Sequence, residues 1–368
     1  MKVPYVQLDI SIENLRCNYR YFRKNLKNST KTLILVKANS YGHGAIEFAK
    51  AVEEEGASYL GVATTIEGIE LKKGGIKLPV LVLSPGVETY PDLIDNGIEI
   101  GVPNMEAALI LKSVLRERGI ISYPIHLKMD TGMHRLGFQP YELEALTTLI
   151  KESPEFKVTS IYSHLAASDE PQHDEFTLGQ ISLFEKMFDK VAAVLSERPL
   201  KHILNSAGIE RFYQYQFDMV RLGIGIYGIS AIGSDELKPA AYFRVPIIQI
   251  NELTNEDGST VGYGRHGKLG EGCRRIATIS AGYADGVNRH LGRGAASFEV
   301  RGVLCPTIGN ICMDMCMIDV TGTDAQIGDT VTIFGDRPHA RELAAILGTI
   351  PYEVFTSVAR RVRRNVSE

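Results

Sequence analysis

The chain has 368 residues, of which 44% are hydrophobic and 23% charged. These are ordinary globular values, in a chain too long for one ordinary core and of the right length for a barrel plus a second domain. The formal net charge of −4 offers no field for nucleic acid, and no basic–aromatic interleaving precedes the tail ARRVRRNVSE, which reads as a solvated helix end. The start, MKVPYVQLDISIENL, has no apolar signal core, and no apolar run reaches about 18 residues, so neither secretion nor a membrane partner is expected. Five cysteines (Cys17, Cys273, Cys305, Cys312, Cys316) are odd in number and lack zinc-finger spacing, so they read as reduced cytosolic thiols. Cys312 and Cys316 read as buried cysteines, and no metal is expected.

From residue 32 to about 230, short β-rich apolar runs alternate with amphipathic segments. The predicted strands are TLILVK (32–37), YLGVA (59–63), VLVLS (80–84), IEIGV (98–102), PIHLKMD (124–130), KVTSIYSH (157–164), HILN (202–205) and DMVRLG (218–223). Helical stretches such as AIEFAKAVEEEG and NMEAALILKSVLRERG separate them. Their apolar residues recur at three and four, and Gly closes each one. Eight such units predict a (β/α)8 TIM barrel rather than an open sheet, which would want a GxGxxG turn after its first strand. After Ser234 the pattern changes to strand-like segments: YFRVPIIQINELT, RRIATISAGYADG, SFEVRGVLCPTIG, MCMIDVTG and DTVTIFG. Between them NEDGST and GDRP read as tips, and ARELAAILG and a second segment near the end read as late helices. The expected organisation is a barrel over 9–234 and a mostly β domain over 235–368, with residues 1–8 packing on the latter.

In a barrel, polar residues at the C-terminal ends of strands are the candidates for chemistry. Here they are Lys37, Ser84, Lys128 with Asp130, His164, Asn205 with Ser206, and Arg221. Lys37 opens VKANSYGHGA. A desolvated lysine amine loses its proton more readily and can form a Schiff base with a carbonyl. Gly42, His43 and Gly44 make a tight turn after it, and Tyr41 places a hydroxyl nearby. Lys128 in PIHLKMD falls at an inward position, where an unpaired ammonium costs several kcal/mol. Arg221 precedes GIGIYG, a Gly-spaced run after strand eight with the position of a barrel phosphate cradle, with Asn205 and Ser206 after strand seven beside it. A Schiff-base lysine and a phosphate cradle in one barrel suggest pyridoxal phosphate.

Eight blocks then stand in a telling order: VKANSYGHG, KMDTGMHRLGF, HILNSAG, DMVRLGIGIYG, VGYGR, SAGYADG, GNICMD and PYEVFTSVARRV. Over essentially its whole length the chain resembles the alanine racemases, pyridoxal-phosphate enzymes of fold type III. The resemblance implies a cytoplasmic homodimer that interconverts L- and D-alanine by two bases and supplies D-alanine for peptidoglycan. It implies that Lys37 is the cofactor-bearing lysine and one base, and that Tyr263 of VGYGR is the other, supplied across the dimer interface. Arg221 would meet the pyridine nitrogen, and His164 would link Arg221 to the tyrosine. Asn205 joins Tyr41, Ser206, Gly223, Ile224 and Tyr352 as cofactor contacts, the last five at phosphate-binding positions. Arg135 and the Met313 N–H would bind the substrate carboxylate. Lys128 matches a lysine carbamylated in many relatives, and Tyr283 and Asp314 match the narrow entrance. The chain departs from the pattern at Asn310-Ile311, where an arginine-valine pair is usual, and at His134.

Racemisation needs an acid/base group on each face of the α-carbon, and a lysine of lowered pKa and a tyrosine near cations serve near neutral pH. Arg221 and His164 are expected to supply that positive charge. A diamino-acid decarboxylase on the same architecture would want a glutamate at the Arg221 position and a late catalytic cysteine. A non-catalytic pyridoxal-phosphate carrier would lack the β domain. A broader-specificity amino-acid racemase is the remaining alternative.

Overall fold

The computed structural model describes residues 3–256 and 258–368. The tip NEDGST includes Asp257, which lies outside the described residues. The chain divides into two compact units: Arg16–Ser40 with Ala45–Leu237, and the N-terminal segment to Leu15 with Tyr41–Gly44 and Lys238–Glu368.

The first unit is the barrel. Its strands are β2 (Lys31–Leu35), β3 (Tyr59–Val62), β4 (Val80–Val82), β5 (Glu99–Val102), β6 (Tyr123–Lys128), β7 (Phe156–Tyr162), β8 (Leu200–His202) and β9 (Met219–Leu222), preceded in the chain by β1 (Gln7–Ser11) of the other unit. They lie in the order β8-β7-β6-β5-β4-β3-β2-β9, every ladder parallel. Asp218 N–H donates to Lys201 O and Arg221 N–H to Leu204 O across the seam between β8 and β9. Strand sides that carry Leu33, Ile34, Leu60, Val80, Leu81, Ile100 and Val220 have no accessible surface. Each such side chain contributes about 1.5–3 kcal/mol on burial, which is why near-continuous apolar runs form these strands.

All eight predicted strands are present, with trimmed ends. The seventh is displaced most: HILN marked residues 202–205, whereas β8 is Leu200–His202. Two caps fix helix starts that matter below. Thr64 and Glu67 form a reciprocal capping box at Thr65–Lys73, and Asn205 Oδ1 accepts from Gly208 N–H at 2.8 Å at the start of Ser206–Arg211.

The second unit is mostly β. Its strands are β10 (Ala241–Leu253), β11 (Thr260–Val261), β12 (Gly267–Lys268), β13 (Arg274–Ile279), β14 (Ser297–Val300), β15 (Val303–Pro306), β16 (Cys316–Asp319), β17 (Thr330–Phe334) and β18 (Arg363–Ser367). The main sheet runs β15-β14-β17-β10-β1-β18, and β13 joins β10 to β16. Because β1 pairs antiparallel with β10 and parallel with β18, residues 9–15 lie with this unit and not with the barrel. The basic tail is therefore an edge strand and not a helix end. Its Arg363 and Arg364 suit an edge, where charge deters further pairing. Arg364 donates to the carbonyls of Gly42, Ala359, Val362 and Val358. Two late helices, Ala340–Leu347 and Pro351–Thr356, follow β17. Among the described residues no helix is long and apolar enough to cross a membrane. All five cysteines are free, with Cys305 and Cys316 buried.

Candidate active site

Lys37 stands two residues beyond β2, at the start of a left-handed turn. Ala38, Asn39, Ser40 and Tyr41 have φ of 51°, 54°, 53° and 52°, a conformation that L-residues rarely adopt in succession and that concentrates at functional sites. Three contacts hold it. Ala38 N–H donates to Glu67 Oε1 at 2.5 Å, Ala45 N–H to Asn39 Oδ1 at 2.9 Å, and Ser40 N–H to Val36 O at 2.9 Å. Glu67 also accepts from Ala63 and Thr64 N–H, so one carboxylate ties the turn to the end of β3. Lys37 is half-buried and makes no ion pair among the described residues. Its pKa is lowered, first by desolvation and then by the Arg135 guanidinium, with Glu67 opposing.

Lys128 ends β6. It is 7% exposed and has no carboxylate within ion-pair distance among the described residues. Desolvation, then the charges of Arg135 and Arg221, pull its pKa down to about 8. Asp130 opposes this weakly because its carboxylate is engaged elsewhere: it accepts from the N–H groups of Gly132 and His134, from Gln139 Nε2 and from His134 Nδ1. Asp130 thereby shapes the loop that carries the exposed Arg135.

Arg221 lies in β9, 2% exposed. Nη1 donates to His202 Nδ1 at 2.9 Å and Nη2 to Ser163 O at 2.5 Å, Ile203 O at 2.8 Å and His164 Nδ1 at 3.2 Å. Both terminal nitrogens are committed, and Nε has no partner among the described residues. Burial draws the guanidinium down to about 10, so it stays charged at neutral pH. Since arginine only donates, both histidines must present a bare Nδ1 to it. Desolvation and then Arg221 push His164 and His202 well below the ordinary histidine range. His164 is thus neutral, and the positive charge expected of the pair belongs to Arg221 alone.

On the neighbouring loop, Ser206 Oγ accepts from Gly223 N–H at 2.9 Å and from Gly225 N–H at 3.2 Å. Those two amides, which the Gly-spaced run offered to a phosphate, are given to Ser206. The Ser206 proton and the Ile224 N–H remain. Gly225 is required by packing, since a Cβ there would sit 2.4 Å from the Phe22 ring. Asn205 is a helix cap, its Oδ1 accepting also from Ser168 Oγ at 2.8 Å.

The β unit holds the other predicted residues. Tyr41 and Tyr352 rings lie 5.6 Å apart, and burial raises the Tyr41 pKa far above its usual value. Gly42, at φ +87°, passes so close to the Phe355 carbonyl that a Cβ would lie 2.6 Å from its oxygen. Tyr263 is 73% exposed. Asn310 Nδ2 donates to the Tyr263 carbonyl at 2.8 Å and Asn310 Oδ1 accepts from Arg293 Nε at 2.7 Å. Tyr283 and Met313 are exposed neighbours, with Tyr283 N–H on Cys312 O and Ala284 N–H on Met313 O, both at 3.0 Å. The Met313 N–H has no partner among the described residues. Asp314 pairs with Arg361 at 2.6 Å, which also bridges to Asp285.

Three functional candidates escaped the sequence reading. Glu67 was legible as a capping box, TTIE. His202 was hidden because its strand was placed two residues late. Asn310 was noticed only as a departure.

A (β/α)8 barrel with a weakened lysine after its first strand and a buried guanidinium in its last, joined in one chain to a mostly β unit, defines an enzyme class. Sequence models of the alanine racemase N-terminal and C-terminal domains match residues 10–231 and 240–366. The chain belongs to the alanine racemase family of isomerases. It is 34% identical to the alanine racemase of Clostridium novyi, over 98% of this chain and 94% of that one. It is 36% identical to that of Chlorobaculum tepidum, over 97% and 94%. The solved alanine racemase of D-cycloserine-producing Streptomyces lavendulae superposes with a TM-score of 0.92 at 30% identity, covering 100% of this chain and 98% of that one. That of Clostridium difficile 630 gives 0.90 at 33%, covering 97% and 94%.

Proposed function

We propose that this protein interconverts L- and D-alanine using pyridoxal 5'-phosphate held through Lys37, and that the D-alanine serves peptidoglycan synthesis in the cytoplasm. The observation that carries the reading is the pairing of a lysine of lowered basicity after β2 with the buried Arg221 in β9, whose terminal nitrogens are both committed. The donor set fits the cofactor. Lys37 offers a primary amine for its aldehyde, Arg221 Nε a donor for the ring nitrogen, and the Ser206 hydroxyl and Ile224 N–H donors for the phosphate. Tyr41, Gly223 and Tyr352 complete that set by resemblance, and Asn205 acts by capping the helix that presents Ser206. When bound, the cofactor delocalises the negative charge left by removal of the α-proton.

The protein's own residues do the rest. Lys37 Nζ, easily deprotonated where it stands, takes the α-proton on one face or returns it. The Tyr263 hydroxyl acts on the other face. Its exposure on the protomer suits a base lent to a second copy, in a homodimer with shared sites. Arg135 and the Met313 N–H hold the alanine carboxylate, and Tyr283 and Asp314 narrow the entrance. Arg221 holds its partner nitrogen as an acceptor because it has no proton to yield. By resemblance, neutral His164 would link Arg221 to the Tyr263 hydroxyl by a hydrogen bond. Lys128, unpaired and drawn down to about 8, supplies the neutral amine that carbon dioxide needs, and the carbamate would brace Arg135.

The test is direct. Purified protein with added pyridoxal phosphate should abolish the optical rotation of L-alanine and yield D-alanine to a D-specific oxidase. Borohydride should fix the cofactor on the Lys37 peptide. No rotation change, or a modified peptide that excludes Lys37, refutes the reading.

A further inference from the structure

From Arg221 a line of polar side chains crosses the barrel, one from each of five consecutive strands, β9 to β5. His202 Nε2 lies 2.9 Å from Ser160 Oγ in β7, Ser160 Oγ lies 2.6 Å from His126 Nδ1 in β6, and His126 Nε2 lies 2.6 Å from Glu99 Oε2 at the start of β5. His126, Ser160 and His202 have no accessible surface. The Glu99 side chain, 15% exposed, sits at the opposite end of its strand from the barrel mouth.

Such a line is unusual in an apolar barrel core, where each polar group left unmatched costs about 1–3 kcal/mol. With neutral histidines it satisfies every member in one direction only. Arg221 can only donate, so His202 Nδ1 accepts and His202 Nε2–H must donate to Ser160 Oγ. Ser160 then has one proton, which goes to His126 Nδ1, and His126 Nε2–H donates to the Glu99 carboxylate. Reversing any link leaves two donors or two acceptors facing each other. The line starts at a fixed cation and ends at an anion, so every dipole along it is aligned and the bonds reinforce one another. Tyr162 packs flat on His202, with ring centroids 5.2 Å apart, and lies under the Arg221 guanidinium, which prevents either ring from turning out of the line.

We infer that Glu99, His126, Ser160 and His202 are positioning residues of the reaction. Together they form a one-way hydrogen-bond chain that anchors the Arg221 guanidinium from the far end of the barrel and so fixes the direction in which its remaining N–H points. The inference rests on the reading in which Arg221 meets the cofactor's ring nitrogen. Neither the lysine nor the tyrosine base touches the chain, so cutting it changes how Arg221 is held without removing a base.

The test uses the holoenzyme. In 15N-labelled wild type, long-range proton–nitrogen correlations of the imidazoles should show His126 and His202 neutral, with protonated Nε2 and bare Nδ1. A protonated Nδ1 on either overturns the chain. Ser160→Ala removes the central link, and Glu99→Leu removes the terminal anion. Each should lower kcat about tenfold, the effect of one lost buried bond, with KM for L-alanine within about twofold. Each should also shift the absorption band of bound pyridoxal phosphate. Glu99→Gln keeps an acceptor oxygen and should recover kcat to within about threefold. A fall in melting temperature with an unshifted band and unchanged kcat assigns the line to stability alone and overturns the inference. Arg221→Lys separates the two claims. If it too leaves the band and kcat unchanged, the reading of Arg221 has failed. If it disturbs both while the chain variants do not, only the chain has failed.

Discussion

Replacing Glu67 with Ala tests whether the strained turn after β2 is what presents Lys37. Four successive L-residues in the left-handed region cost about 1–2 kcal/mol each, so the turn holds roughly 4–8 kcal/mol of strain. The Glu67 carboxylate opposes it through three backbone N–H groups, those of Ala38, Ala63 and Thr64. A hydrogen bond to a charged acceptor is worth about 1.5–3 kcal/mol when buried. Ala38 and Thr64 are exposed, which brings each bond to about 1 kcal/mol and the set to about 3 kcal/mol. Without Glu67, the turn keeps the Asn39 side chain and the Val36 carbonyl but loses its one charged acceptor among the described residues, and right-handed or extended conformations become competitive. Urea unfolding of Glu67→Ala should show a midpoint shift equivalent to about 2–3 kcal/mol at unchanged slope. Affinity for pyridoxal phosphate, read by its absorption after dialysis, should fall at least about tenfold, since Lys37 leaves its place. Glu67→Gln, with one acceptor oxygen, should fall between. Stability within about 0.5 kcal/mol of wild type, with unchanged cofactor affinity, would refute the argument that Glu67 maintains the turn.

Mixing inactive Lys37→Ala with inactive Tyr263→Phe under conditions that exchange subunits should restore activity, one working site of two in each mixed dimer; no recovery despite proven exchange places the tyrosine elsewhere. Lys128 titrates lower in the folded state than unfolded, so the unfolded chain binds the extra proton between about pH 8 and 10.5 and stability must rise with pH there. In carbon-dioxide-free buffer that rise should be on the order of 2 kcal/mol and absent from Lys128→Met, as read by urea midpoints across the range. Asn310→Ala leaves the Tyr263 carbonyl and Arg293 without their partner; kcat should drop about tenfold while cofactor absorption is unaltered, and an unchanged kcat would show that Asn310 does not hold the base in place.

The barrel was legible because its strands are buried on both faces and so read as unbroken apolar runs. TLIL and VLV needed no tertiary information. What the sequence hid lies at the ends and in the partners. Lys37 read as the last residue of a strand, whereas it begins a left-handed turn, a state that no propensity favours and that the Glu67 carboxylate, from the helix after β3, helps to maintain. The tail ARRVRRNVSE read as a helix end because its charge pattern is compatible with one. Its pairing with Gln7–Ser11 is a contact across the whole chain, which local periodicity cannot encode. Arg221 and His164 were found as strand-end residues, but the sign of their interaction was misjudged. Proximity to a fixed cation makes a buried histidine neutral, so the pair carries one charge and not two.

That sign governs the whole barrel mouth. Lys37, Lys128, Arg135 and Arg221 crowd together closely enough that Arg135 lowers both lysines and Arg221 lowers Lys128. The acids beside them are engaged with backbone: Asp130 spends its oxygens on the loop that carries Arg135, and Glu67 on the turn after Lys37. Both carboxylates oppose the lowering of the lysines only weakly. The missing negative charge matches what the proposed ligands bring: a phosphate toward Ser206 and Ile224, a substrate carboxylate toward Arg135, and a carbamate on Lys128 itself. The crowding serves the chemistry in two ways. It lowers the pKa of Lys37, the direction that the proposed nucleophile and base needs. It also makes each anion's arrival favourable while the only balancing carboxylate of the Arg221 chain, Glu99, remains at the far end of the barrel, too distant to compete for the same cations at the mouth.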